Sequence, residues 1–329
     1  MKKLIATLVI LATCLLSLAS CFGGEEEKQI RIGVMSGPTA MGMAKLIADN
    51  GGTDGNEKYS FTVYQDTATA KADLTKGDVD IICLPTNEAA AYYKTVDDDV
   101  RVLAINCLNS LFVISDKDNS ATQLSDLVGK TVYTCKNGTP KMVLDYIIEE
   151  LDLDITVSTA TPDGKEMATP ADVRAQVVNG ALPFAVIPEP MITAAQLAIQ
   201  QAGKANEISY SVDIDLGDEW AKISPDAPVA MGCIVSTEDF TEDNEKLVAS
   251  FLTEYKASIE FIGNLENLDT SAQYIADAGI MAAAPAARKA LSNLGDAISY
   301  IDGADMKTTL EGFFTATGLP KPDGEFYYD

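Results

Sequence analysis

The chain has 329 residues, 47% hydrophobic and 22% charged, with a formal net charge of −25 and no histidine. That length points to two domains rather than one small core, and the acidity removes nucleic acid as a partner, since nothing here neutralises a phosphate backbone. The missing histidine removes Ser-His-Asp and Cys-His nucleophile systems, HExxH zinc sites and every imidazole base.

In chain order, Lys2 and Lys3 precede an apolar run (4–18), followed by Ala19, Ser20 and Cys21. A basic end, a short apolar stretch and small residues before a cut predict a signal peptide over 1–20. The run is shorter than the ~20 residues a spanning helix needs. Residues 18–21 resemble the bacterial lipobox, which implies that Cys21 is lipidated and becomes the first mature residue. Loss of Lys2 and Lys3 then takes the charge from −25 to −27. FGGEEEK (22–28) reads as a solvated tether, so the lipidated Cys and its tether occupy 21–29.

Beyond the tether, β-branched runs alternate with helical patterns, which predicts parallel βαβ units. Strands are expected at 30–35, 60–64, 79–84, 100–105, 112–115, 131–135, 155–159, 184–187, 207–215 and 231–236. Ala40, Met43, Ala44 and Ile47 share one helical face, and Val143, Leu144, Ile147 and Leu151 another. One long helix is expected over 241–263, and further helix to 319, packing back on the first lobe.

Two internal echoes recur in the same order. MSGPT (35–39) and KNGTP (136–140) each follow a strand and open a helix; LTKGDVDI (74–81) and VVNGALPF (177–184) each end a helix at a Gly before a strand. They predict two similar α/β lobes, with the chain crossing near 111–113 and returning near 210–214. Cys83, Cys107, Cys135 and Cys233 sit in or beside apolar runs without CxxC spacing, so buried free thiols are expected ahead of disulfides, and no metal site. GKT (129–131) lacks the upstream Gly of a P-loop, and Asp213, Asp215 and Asp218 lack EF-hand spacing.

Five stretches in order resemble the nitrate/sulfonate/taurine group of ABC importer binding proteins, which also contains thiamine-pyrimidine binders. They are the 30–35 strand with its Gly turn, LTKGDVD (74–80), LSDLVGKTV (124–132), PEP (188–190) and DNEKLVASFLTEY (243–255). The resemblance implies a type II periplasmic-binding-protein-like clamp, each lobe a βα sheet with helices on both faces. Residues 30–111 and 214–329 form lobe I, and 112–213 lobe II. It further implies an exported, monomeric lipoprotein on the outer face of the cell membrane. Its partners are a small polar or anionic solute and the permease and ATPase subunits of an importer, with no cofactor and no catalysis. The alternatives are a ligand-binding sensor domain, or an enzyme of the thiamine-pyrimidine or menaquinone branches; the pyrimidine branch relies on a His and a cysteine cluster that this chain lacks.

In open α/β sheets ligands bind beyond the carboxyl ends of the strands, where helix N-termini offer free N–H donors. The candidate ligand residues are therefore Ser36, Gly37, Thr39 and Met41; Thr86, Asn87 and Asn109; Asn137, Gly138 and Thr139; and Glu189. Ordinary helix capping explains Ser, Thr and Asn here equally well. Glu189 would pair with a ligand amine or merely favour a helix N-terminus. Trp220, the single tryptophan, would be a lid over the cleft or a packed core residue.

Overall fold

The strands run, in order, β1 (Ile30–Met35), β2 (Tyr59–Tyr64), β3 (Ile81–Pro85), β4 (Arg101–Leu108), β5 (Leu111–Asp116), β6 (Thr131–Tyr133), β7 (Thr156–Ser158), β8 (Phe184–Pro188), β9 (Tyr210–Asp215) and β10 (Ala230–Ser236). The computed structural model describes residues 28–96 and 99–328. The expected signal peptide, Cys21 and nearly all of the tether lie outside the described residues.

The helices are α1 (Pro38–Met41), α2 (Ala44–Asp49), α3 (Thr67–Lys76), α4 (Thr86–Tyr93), α5 (Thr139–Glu150), α6 (Pro170–Val178), α7 (Met191–Gln201), α8 (Leu216–Ala221), α9 (Glu238–Asp243), α10 (Glu245–Gly263), α11 (Leu268–Asp277), α12 (Ala284–Leu294) and α13 (Gly303–Thr317).

Two five-stranded sheets share one plan: β2-β1-β3-β10-β4 and β7-β6-β8-β5-β9. In each, the first three strands pair in parallel, and one strand runs antiparallel between the third and the edge. That antiparallel strand is the first one laid down after the chain changes sheets: β5 on the way out, β10 on the return. β1, β3 and β8 are buried almost throughout because helices cover both faces.

The sequence echoes are structural equivalents. Gly37 (φ 139°) precedes α1 and Gly138 (φ 101°) precedes α5, while Gly77 (φ 73°) ends α3 and Gly180 (φ 68°) follows α6. All four lie at positive φ, where a side chain is strained and glycine is not. Asp80, from the first copy, is 5% exposed and accepts bonds from the Arg31 backbone N–H (2.8 Å), Nε (3.0 Å) and Nη2 (2.6 Å), which clamps β3 to β1.

The sheet change falls at 109–110 and again over 216–229, just outside the segments 111–113 and 210–214 expected as crossings. Those segments are already paired to each other within the second sheet, Val113 against Ile214. The long helix expected over 241–263 breaks at Asn244 (φ −132°, ψ 33°), whose Nδ2 donates to the Phe240 carbonyl at 2.8 Å. An Asn side chain that bonds nearby backbone competes with the helix in this way.

Past the break, Val248, Phe251, Tyr255 and Ile259 are buried, and Ser258 Oγ donates to the Gly42 carbonyl and accepts from the Leu46 N–H of the first lobe. The C-terminal helices were expected to pack back on that lobe. They also reach the second: α12 touches α7, and α13 touches α5. The four cysteines are buried and free; burial pushes the thiols of Cys83 and Cys107 up to about 12 and that of Cys135 to about 11.

Candidate functional site

The carboxyl ends of β1, β2 and β8 open on a cavity between the sheets. It has a volume of about 350 Å³ and is lined by Ser36, Gly37 and Pro38 from the first lobe, Arg174, Pro190 and Met191 from the second, and Ile280 and Met281 from the C-terminal part. Ligand sites commonly have such a size and such apolar walls with few polar groups. A larger hollow, about 630 Å³, lies at the other end of the first sheet; its Arg101 is ion-paired to Glu238, and Glu242, Glu245 and Glu325 make it acidic.

The expected residues divide into three groups. Ser36 and Gly37 line the cavity. Asn87 and Thr139 lie where the lobes meet, while Thr39 and Thr86 are buried in the first lobe. Thr139 Oγ1 donates to Asn87 Oδ1 at 3.2 Å across the interface, and the Thr39 carbonyl accepts from Asn106 Nδ2 at 3.0 Å. Thr86 Oγ1 is buried without a hydrogen-bond partner, a cost unless another group meets it. Gly232 of β10 lets Thr39 pack closely within the first lobe, since a Cβ there would fall 2.3 Å from Thr39 Cγ2. Asn137 and Gly138 are not among the residues lining the cavity.

The third group is committed elsewhere. Met41 is fully buried in the core, not on the cleft wall. Asn109 (φ 41°) belongs to the hinge: its N–H donates to the Val229 carbonyl (3.0 Å) and its Oδ1 accepts the Val229 N–H (3.1 Å), tying the two crossings together. Trp220 is not a lid. It is 0% exposed in α8, its ring centroid 4.5 Å from that of Tyr146 and 6.0 Å from that of Phe313, and its N–H donates to the Ala227 carbonyl. Six residues of helix are too few to show a periodicity in the sequence.

Glu189 is also 0% exposed. Its carboxylate accepts from the Thr193 N–H (3.2 Å), Thr193 Oγ1 (3.0 Å) and Asn293 Nδ2 (2.5 Å). Burial pushes its carboxyl up, and the Asn293 and Thr193 donors oppose that. Asn293 lies on α12, so this bond joins the second lobe to the C-terminal helices. Lys289, one turn earlier, donates to Gln196 of α7.

Beside Asn109, Asp215 caps α8 by accepting the Gly217 N–H at 2.7 Å. Burial, with help from Asp218 and Asp296, pushes its carboxyl up to about 6, above the ~3.9 of an unfolded chain. The folded state therefore binds this proton more tightly, and the protein gains stability as pH falls from about 6 towards 4. Asp215→Asn keeps the acceptor and removes the charge. The variant is expected to melt higher than wild type near pH 8, with the gap closing near pH 5; an equal gap at both pH values would show that Asp215 does not titrate there.

Sequence reasoning missed Arg174, Gln65, Met191 and Met281. Arg174 reads as an ordinary helix residue, and the cavity it lines is completed only by the other lobe and the C-terminal part. Among the described residues no side-chain cluster is built to hold a metal ion, and no helix is long and apolar enough to cross a membrane.

Two like-ordered sheets, joined by two crossings around a cleft, define a type II periplasmic-binding-protein fold. The chain is similar to an ABC transporter protein from Parabacteroides distasonis (19% identity, TM-score 0.69, 92% of this chain and 99% of that one). It is also similar to the periplasmic aliphatic sulphonate-binding protein of Escherichia coli (18%, 0.63, 89% of each) and the periplasmic nitrate-binding protein of Synechocystis (14%, 0.58, 85% and 75%). No family model and no curated protein matches the chain. At these identities the likeness establishes the fold, which is that of solute-binding components of ABC import systems.

Proposed function

We propose that this chain is the extracytoplasmic solute-binding component of an ABC importer, without catalytic activity, holding a small polar or anionic molecule between its lobes and presenting it to a permease. The carrying observation is the cavity of about 350 Å³ walled by residues of both lobes. In this reading Ser36 and Gly37 contact the solute, and Asn87 and Thr139 form the contact that closes beside it. Closure needs only a higher affinity for the solute in the closed than in the open arrangement, with the paired crossings at 109–110 and 216–229 as the hinge. Lobe I then comprises the first sheet and the C-terminal helices, and lobe II the second sheet. Cys21 carries the lipid that keeps the protein at the outer face of the membrane; a Cys21→Ala variant should leave the membrane fraction.

A thermal-shift screen of the mature protein against anions, sulfonates, amino acids, pyrimidines and vitamins tests the reading. At least one class should raise Tm in a concentration-dependent way and compact the protein in solution scattering. A panel with no shift in any class would sink it.

A further inference from the structure

Three Asn-Gly pairs occur in the chain: Asn50-Gly51, Asn137-Gly138 and Asn179-Gly180. Asparagine is a chemically labile residue, and most so before glycine, where no Cβ shields the next amide nitrogen. Folding protects two of the pairs. The Asn50 carboxamide is held at both ends, donating to the Leu46 carbonyl (2.8 Å) and accepting from Asn56 Nδ2 (2.9 Å). The Gly180 N–H is committed to the Val177 carbonyl at 3.0 Å.

Asn137-Gly138 has neither protection. Asn137 is exposed, and its carboxamide bonds to no described residue. The Gly138 N–H likewise donates to none. Only the Asn137 backbone is fixed, its N–H on the Ala168 carbonyl (3.1 Å) and its carbonyl accepting from Cys135 Sγ (3.0 Å). The nucleophilic nitrogen and its target carbon are therefore adjacent, uncommitted and in water. The twelve-residue helix α5 begins at once, and its positive end favours the negative charge that builds on the carboxamide oxygen.

We propose that Asn137 is a site of spontaneous deamidation, and that the product loosens the contact between the lobes. The Gly138 N–H gives its proton to hydroxide, and the nitrogen bonds to Asn137 Cγ. The Cγ–NH2 bond breaks, and ammonia leaves with a proton from water. Water then opens the succinimide. Opening at Cγ leaves aspartate; opening at the Asn137 main-chain carbonyl leaves isoaspartate, whose main chain runs through the side-chain carbon. Both products carry a new negative charge, but only isoaspartate lengthens the chain. Thr139, two residues on, donates to Asn87 of the other lobe at 3.2 Å, and an added backbone carbon displaces it. Losing that bond lowers the closed-to-open ratio by about two- to tenfold. The chemistry stands apart from the solute-binding reading; its effect on closure rests on the hinge described there.

Peptide mapping of the mature protein aged in mildly alkaline buffer tests this without a solute. Trypsin places the three pairs on separate fragments, 46–58, 137–141 and 175–204. In the folded protein Asn137 should convert about two- to tenfold faster than Asn50 or Asn179, since each of those must first break a hydrogen bond. Unfolding in urea should bring the three rates together. Aged wild type should scatter as a more open particle. Aged Asn137→Gln, whose longer side chain closes the ring far less readily, should not. Fresh Asn137→Asp, with the charge but no added carbon, should match fresh wild type. An Asn137 that converts no faster than the other two in the folded protein would overturn the proposal. So would a protein converted at Asn137 that scatters as the fresh one does, or an aged Asn137→Gln that opens equally.

Discussion

Trp220→Ala is expected to destabilise the protein by about 3–5 kcal/mol, the range for emptying a large aromatic site in a packed core. Three separate parts of the chain meet on this ring. Tyr146 comes from α5 of the second lobe, Phe313 from α13 of the C-terminal part, and Ala227 from the returning crossing. The cavity left behind cannot be filled locally, because each neighbour is anchored in a different element. Tyr146 is held further by a hydrogen bond between its hydroxyl and Ser224 Oγ at 2.8 Å. Urea unfolding of wild type and variant measures the difference. A loss under about 1 kcal/mol, the range of a surface change, would show that the indole is not part of a rigid core.

Asn293→Ala should weaken solute binding by about one to two decades while leaving each lobe folded. The side chain donates to the buried Glu189 carboxylate at 2.5 Å and so joins α12 to the turn after β8. A hydrogen bond to a charged group is worth about 1.5–3 kcal/mol, and here that energy belongs to the closed arrangement. Its loss lowers the closed fraction, and apparent affinity falls in proportion. The Thr193 donors remain, so Glu189 is weakened as a latch but not abandoned. Scattering from the unliganded variant should report a more open particle, and calorimetry a weaker complex. Unchanged affinity together with superimposable scattering would show that the bond is incidental to closure.

Residues whose role is set by immediate neighbours were legible before folding. Gly37, Gly138, Gly77 and Gly180 announced themselves because each turn needs a backbone conformation that glycine alone adopts without strain. The ten strands showed as β-branched runs, and the repeated turns showed that the two halves are alike. Ser36 and Gly37 line the cavity, and the end of a strand before a helix is a local feature that a sequence shows.

The cysteines followed from their apolar surroundings. Other candidates pack away from the cavity for a common reason. Met41, Asn109 and Trp220 occupy suitable places in the chain, yet their side chains turn into the core or the hinge, and direction depends on what packs against them.

What the amino-acid sequence determined by itself is therefore the alternation of strands and helices, the duplication into two lobes, and the positions of the glycine turns. These rest on periodicity and on backbone preferences that act within a few residues. The tertiary structure decided which strand enters each sheet in reverse, which helix of the C-terminal part reaches across, and which charge stands in the cavity. Glu189 meets Asn293 over a separation of 104 residues. Arg174 and Ser36 line one cavity from opposite lobes. Such pairings form only when hydrophobic burial brings distant segments together, and burial acts on area without regard to separation along the chain.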